Sequence, residues 1–232
     1  CTFPDDVFYL YTTRESFPNE TALFFSEEHS HATEQKINMV QLSDVKAGPL
    51  ILLDDEISTG RTMENIIDVL KKNIPSLLTD GCWIGSVINR VSKNRIAVLY
   101  HKGASCVSLI RPKRDNFEEE MSRFSVSSAT EINPAKALPF HIIRPTYGLF
   151  DLRCGATVGK IRKNILQFAE ETCCILKKEL ENCQKVLFLG TEECMFPALY
   201  TGSILEKQAE NISVYCHATT RSPIGICHDQ MY

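Results

Sequence analysis

Leu50-Ile51-Leu52-Leu53-Asp54-Asp55-Glu56-Ile57-Ser58-Thr59-Gly60-Arg61-Thr62 is the stretch on which the fold turns. Four apolar residues in succession predict a strand buried on both faces of a parallel sheet. Met63, Ile66, Ile67 and Leu70 then recur at helical spacing, with Glu64, Asp68, Lys71 and Lys72 opposite, and Pro75 lies just past the end. Strand, short loop and helix open a βαβ unit. Further strands are expected at 7–12, 83–89 and 95–100, with an apolar run at 106–110.

The same stretch carries chemistry. In an open α/β sheet, ligands bind beyond the carboxyl ends of the strands. A loop of small residues running into a helix N-terminus presents N–H groups and a positive dipole end to an anion. Gly60 tolerates positive φ and close backbone approach, and Ser58, Thr59 and Thr62 add hydroxyls. Asp54 and Asp55 stand beside this phosphate cradle. The ligand therefore carries a phosphate together with groups that carboxylates hold, such as sugar hydroxyls or Mg²⁺. A polar turn between strand and helix is the bland alternative, but it has no need of two adjacent acids. No Gly is followed at the required distance by Gly-Lys-Ser/Thr, so phosphoryl transfer from ATP is not expected.

A connection of nearly forty residues separates the strand at 7–12 from that at 50–54, long enough to suggest a functional lid. It holds Arg14 and the run Ser26-Glu27-Glu28-His29-Ser30-His31-Ala32-Thr33. His29 and His31, flanked by acids, can donate to a pyrophosphate or exchange a proton near neutral pH. A solvated loop and a His-x-His zinc site are the other readings.

Residues 111–140 lose periodicity. Arg111-Pro112-Lys113-Arg114, Glu118-Glu119-Glu120 and Asn133-Pro134 mark a linker or surface excursion. The second half then predicts a helix at 157–181, a strand at 185–190, a helix at 195–208 and a strand at 212–216, which is a second α/β region. Gly190-Thr191-Glu192 and Thr220-Arg221-Ser222 follow two of these strands. They form either an anion-binding crevice for an acceptor or second ligand, or a loop held by an Arg–Glu pair.

The chain has 232 residues, 25 Lys+Arg against 29 Asp+Glu, 44% hydrophobic and 23% charged residues. This is globular composition, and it excludes disordered, collagen-like and coiled-coil classes. A net charge of −4 and a pI near 5.9 argue weakly against a dedicated nucleic-acid binder, which usually shows a basic face. No apolar run reaches the ~18 residues of a membrane helix, and the start is unlike a signal peptide, so a cytoplasmic setting is expected. The ten cysteines include no C-x-x-C pair. They read as reduced thiols serving as small hydrophobes, although Cys216-His217 and Cys227-His228 together offer a metal two sulfurs and two nitrogens. The chain lacks an initiator Met and starts abruptly before its first strand, which suggests a fragment or processed form.

The stretch 50–62 resembles the phosphoribosyl-pyrophosphate (PRPP) signature of type I phosphoribosyltransferases: four hydrophobics, two acids, a variable stretch, then Ser/Thr-Gly-x-Thr. Arg61 stands where many members have a second glycine. With Arg14, the Glu-Glu-His-Ser-His-Ala run and Thr220-Arg221-Ser222-Pro223, the chain resembles the bacterial family whose phosphoribosyltransferase domain precedes a TRSP domain, associated with tellurite-resistance and stress-response gene clusters. The resemblance implies a type I phosphoribosyltransferase-like (Rossmann-like) parallel sheet in 1–112, a linker in 113–140 and a TRSP-type α/β domain in 141–232. In that family a further N-terminal strand and pyrophosphate-binding turn would precede the first strand here. The resemblance further implies Mg²⁺ and PRPP as cofactor and donor, a nucleobase-like acceptor, and a homodimer or pathway-enzyme complex. Asp54 and Asp55 would meet the ribose hydroxyls or the metal, Ser58 to Thr62 would cradle the 5′-phosphate, and His29, His31 and Arg14 would serve the leaving pyrophosphate. A non-catalytic PRPP or nucleotide sensor on the same fold is the alternative.

Overall fold

In a computed structural model, residues 3–15, 21–26, 35–39, 42, 45, 48–112, 119, 122, 126–127, 142, 144–191, 194–209, 211–219 and 226–227 are described. The chain divides into two compact units. One comprises Phe8–Phe117 with Asp151–Ala156; the other comprises Cys1–Val7, Glu118–Phe150 and Thr157–Tyr232.

The first unit opens with a short strand β1 (Phe8–Tyr9) and an antiparallel pair, β2 (Ala22–Phe25) and β3 (Gln35–Asn38). The expected forty-residue lid is thus not one loop. Leu23 and Phe25 alternate with exposed Phe24, burying one face of β2 against the core. Then come β4 (Leu50–Ile57), α1 (Arg61–Asn73), β5 (Cys82–Asn89), α2 (Lys93–His101) and β6 (Ala104–Ile110). The three strands form a parallel sheet in the order β4-β5-β6, with Leu52 opposite Ile84 and Ile84 opposite Cys106.

Helix α1 forms as its pattern demands. Met63, Ile66, Ile67 and Leu70 are buried, Glu64 lies in the first turn, and Lys71 and Lys72 in the last complement the dipole. The segment 95–100, expected as a strand, is instead helical within α2. A short apolar run does not by itself distinguish the two states. The run lies between two parallel strands, which need a crossover. Ser92 caps the helix by accepting the Arg95 N–H at 3.3 Å, and Leu99 is fully buried.

The expectation that strand 50–53 is buried on both faces also fails. Adjacent strands joined in sequence by right-handed crossovers place both helices on one side of the sheet. Side chains of α1 and α2 pack with Ile84, Cys82 and Ala104 in a single core. The opposite face leaves Ile51, Leu53, Trp83, Val87, Val107 and Leu109 exposed, Leu109 at 83%.

The second unit contains β7 (Val126–Ser127), and β8 (Ala156–Thr157) runs into it ahead of α3 (Val158–Leu176), whose Ile165, Ala169 and Cys173 are buried. Then follow β9 (Lys185–Gly190), α4 (Met195–Gln208), β10 (Ser213–Ala218) and β11 (Ile226–Cys227). Strands β9 and β10 are parallel, with Val186 opposite Val214, while β7 and β11 pair antiparallel. A Cβ at Gly202 of α4 would lie 2.5 Å from Cys216 Sγ, so the helix seats closely on these strands at that point. No helix among the described residues is long and apolar enough to cross a membrane.

Candidate phosphate site at the ends of two parallel strands

The acids lie in the carboxyl-terminal half of β4. The Asp55 N–H donates to Asp54 Oδ1 at 3.0 Å, and the Glu56 N–H donates to Asp55 Oδ1 at 2.9 Å. Both contacts are local and exposed, and each leaves the second carboxylate oxygen of its Asp unused by that contact. Asp54 lies opposite Ser86 of β5. Ser86 Oγ is the one buried side-chain polar atom among the described residues that lacks a hydrogen-bond partner.

The loop 58–60 turns the chain into α1. Gly60 is the helix N-cap in the left-handed region, φ 80°, and no side chain caps the helix. The Thr59 hydroxyl accepts the Arg61 N–H at 3.3 Å, and the Glu64 N–H donates to the Gly60 carbonyl at 3.1 Å. The next strand ends alongside. Buried Asn89 accepts the Val91 N–H through Oδ1 at 2.9 Å, and the Arg90 N–H donates to the Ile57 carbonyl at 2.8 Å. The first bond fixes the turn after β5, and the second holds the end of β5 against that of β4.

Between the two strand ends lies a cleft of about 300 Å³ lined by Ser58, Thr59, Arg61, Arg90, Ser92 and Arg95. No carboxylate is among these lining residues. Arg90 pairs with Glu56 at 3.0 Å, and Arg95 pairs with Glu64, which also meets Lys102. Two of the three guanidinium groups are thus held by carboxylates. Three hydroxyls, three guanidiniums and two helix N-termini converge on this space, which suits a doubly charged oxyanion.

Among the expected site residues, Ser58, Thr59 and Arg61 line the cleft. Gly60 lies between two of them in the loop, and Thr62 is in the first turn of α1. Asp54 and Asp55 are on the preceding strand, outside the lining. Arg14 follows the isolated bridge from Thr13 to Lys36 and does not line the cleft. His29 and His31 lie outside the described residues. Ser26, at the near edge of their segment, is held to α1 by Asn65, whose Nδ2 donates to the Ser26 carbonyl at 2.9 Å and to its hydroxyl at 3.1 Å.

In the second unit, Gly190 ends β9 and Thr191 follows it. The Thr219 N–H donates to the Gly190 carbonyl at 2.9 Å, which brings the ends of β9 and β10 together. Glu192, Thr220, Arg221, Ser222 and His228 are outside the described residues. Among those described, no three His, Cys, Asp or Glu side chains gather as a metal set.

Sequence reasoning missed Arg90, Ser92 and Arg95. The rule that ligands bind at the carboxyl ends of parallel strands applied to β5 as well as β4. Reading 95–100 as a strand concealed the helix start that brings Arg95 to the cleft.

A family model described as phosphoribosyl transferase matches residues 2–111, and a second, the TRSP domain C-terminal to it, matches residues 153–232. The chain belongs to the phosphoribosyl transferases that carry a C-terminal TRSP domain. Its parallel β4-β5-β6 sheet with helices agrees with that fold, and the second unit adds another α/β region. Membership of this family points to a PRPP-type transfer. No curated protein and no solved structure matches the chain.

Proposed function

We propose that the protein transfers the phosphoribosyl group of PRPP to a nitrogen of a nucleobase-like acceptor and releases pyrophosphate. The observation that carries this reading is the turn Ser58 to Gly60, which joins a parallel strand carrying Asp54 and Asp55 near its carboxyl end to a helix with no side-chain cap on the basic cleft. In this reading the loop and Arg61 hold the 5′-phosphate, and Asp54 and Asp55 hold the ribose hydroxyls. As the C1–oxygen bond breaks, pyrophosphate takes the electron pair and the ring becomes positive while the acceptor nitrogen closes on C1. The chain's task is to align the two partners and favour the charge that develops. Arg14 would neutralise the leaving group, and His29 or His31 is of the residue type that takes the nitrogen's proton near neutral pH.

The donor set fits Mg²⁺. Two exposed carboxylates are hard oxygen ligands, and Mg²⁺ commonly takes one or two of these and completes its shell with substrate oxygens and water. Bound at Asp54 and Asp55, the ion would offset the charge of the diphosphate. On this reading the phosphoribosyltransferase domain spans 1–112 and the TRSP-type domain spans 141–232, with 113–140 as linker. The sequence that follows β9 and β10, with Gly190, Thr191, Glu192, Thr220, Arg221 and Ser222, would then serve the acceptor or a second phosphorylated ligand.

The test is calorimetric titration of PRPP with and without Mg²⁺, on the native chain and on the Asp54→Asn/Asp55→Asn variant. Binding that needs Mg²⁺ and weakens at least tenfold in the variant is the expected result. Binding unaffected by the double change would refute the site. PRPP binding without pyrophosphate release, across a panel of heterocyclic acceptors, would favour a sensor.

A further inference from the structure

Arg95 reaches the cleft from the first turn of α2, a place where the helix dipole works against a cation. A ladder of alternating charges between α1 and α2 holds it there. Arg95 Nη2 meets Glu64 Oε2 at 2.5 Å, Glu64 Oε1 meets Lys102 Nζ at 3.0 Å, and Lys102 Nζ meets Asp68 Oδ2 at 2.5 Å. The sequence spacing makes the ladder possible. Glu64 and Asp68 are four apart on α1 and share a face. Arg95 and Lys102 are seven apart, near the two ends of α2, and fall on one face with buried Leu99 between them. Glu64 gives one carboxylate oxygen to each cation, and its side chain, 16% exposed, is the most enclosed of the four. Exposed ion pairs contribute little to folding one by one, so the consequence of this ladder lies in the direction it gives a side chain.

We propose that Glu64 is a positioning residue for the phosphate cleft: it acts through Arg95, although it is not itself among the residues that line the space. The inference rests on the reading of the Ser58–Gly60 turn as a phosphate site. Charge alone argues in the opposite sense. A carboxylate this near the cleft repels an anion, so by Coulomb's law a neutral side chain at 64 would serve a phosphate better. Glu64 therefore helps an anion only by what it does to Arg95. A long cationic side chain without an anchor divides itself among rotamers. Anchored at one nitrogen, the planar guanidinium keeps its orientation and still has N–H donors to turn toward the cleft. Lys102 occupies the other Glu64 oxygen, which keeps the carboxylate itself from turning. Arg95 is thus set before the ligand arrives, and the ordering cost is removed from binding.

The test is calorimetric titration of inorganic phosphate, and in parallel of PRPP, into the full chain and its Glu64→Gln, Arg95→Gln and doubly substituted variants. Glu64→Gln is expected to weaken phosphate binding about fivefold or more, against the direction that loss of a negative charge would give. Added to Arg95→Gln, the same change is expected to weaken binding no further, because the group it positions is gone. Asp68→Asn, one turn further along α1, removes a bridge between the helices but leaves Lys102 its contact with Glu64. Its phosphate affinity is expected to stay within about twofold of the native value. Urea unfolding of each variant, with a cooperative transition near the native midpoint, shows that it is folded. Unchanged or tighter phosphate binding in Glu64→Gln would overturn the proposal, as would a further loss in the double variant. An equal loss in Asp68→Asn would overturn it too, since joining the helices would then suffice. So would a native chain that binds no phosphate. A chain that binds phosphate but not PRPP would leave the inference standing and remove the PRPP reading alone.

Discussion

Gly60 carries the strictest backbone demand at the cleft. Its φ of 80° lies in the left-handed region, and an added Cβ would stand 3.3 Å from Leu99 Cδ1 and 3.4 Å from Val91 Cγ2. Left-handed backbone costs a non-glycine residue roughly 1–2 kcal/mol, and the close contacts add to it. Gly60→Ala is therefore expected to lower stability by about that amount and to weaken PRPP binding, since the loop and the first turn of α1 must shift together. Trp83, the only tryptophan, lies on β5 of the same unit, so urea unfolding followed by its fluorescence reads the effect. An unchanged midpoint would show that the loop relaxes without cost. This glycine is legible in the sequence, because Ser-Thr-Gly-x-Thr before a helical stripe announces the turn. Asn89 is not: its fixing of the neighbouring turn through the Val91 N–H needs the fold to be seen.

Among the elements, α2 decides the shape of the cleft. Its capping serine and Arg95 both line the space, and Leu99 inserts fully buried beneath Gly60. Leu99→Ala would leave a cavity against that loop and is expected to cost about 2–5 kcal/mol. The same variant should loosen PRPP binding, although Leu99 faces no ligand. Denaturant melts together with PRPP titration check both effects, and a stability loss under 1 kcal/mol would contradict this packing. Helix α1 was legible from its apolar spacing, whereas α2 was not. A run of Ile96-Ala97-Val98-Leu99-Tyr100 suits a strand as well as a helix, and only the need to cross between two parallel strands decides it.

For the molecule as a whole, titrating groups bound the pH range of stability. Burial, with Tyr11 beside it, pushes the Tyr9 phenol up from 10.0 to about 12, and burial, with Cys106 nearby, pushes the Cys82 thiol up from 9.0 to about 11. The fold favours both neutral forms, so their contribution is full below the ordinary values and is lost as pH rises toward the raised ones. Hydrogen bonding to Asp68 raises Lys102 above 10.5; its contribution likewise fades as pH climbs through the raised value. On the acid side, the Arg153 side chain holds Asp151 below 3.8, and the N–H groups of Thr146 and Tyr147 hold Glu171 below 4.5. Those contributions are present above the ordinary values and disappear as pH falls through the lowered ones. Thermal melts are expected to be level between about pH 5 and 8.5 and to fall on either side. A Tm that climbs above pH 9 would contradict these shifts.

What the sequence by itself determined is local in origin. The α/β class, the helices after 60 and 157, the strands at 50–54 and 185–190, and the Ser-Thr-Gly turn each follow from periodicity or from a turn a few residues long. Only the tertiary structure decided which residues meet across strands. It brought Arg90, Ser92 and Arg95 to the loop at 58–61, made 95–100 a helix, and left one face of the β4-β5-β6 sheet exposed. The physical reason is shared. Parallel pairing and the hand of its crossovers join residues some thirty positions apart, and no short window of sequence records that proximity.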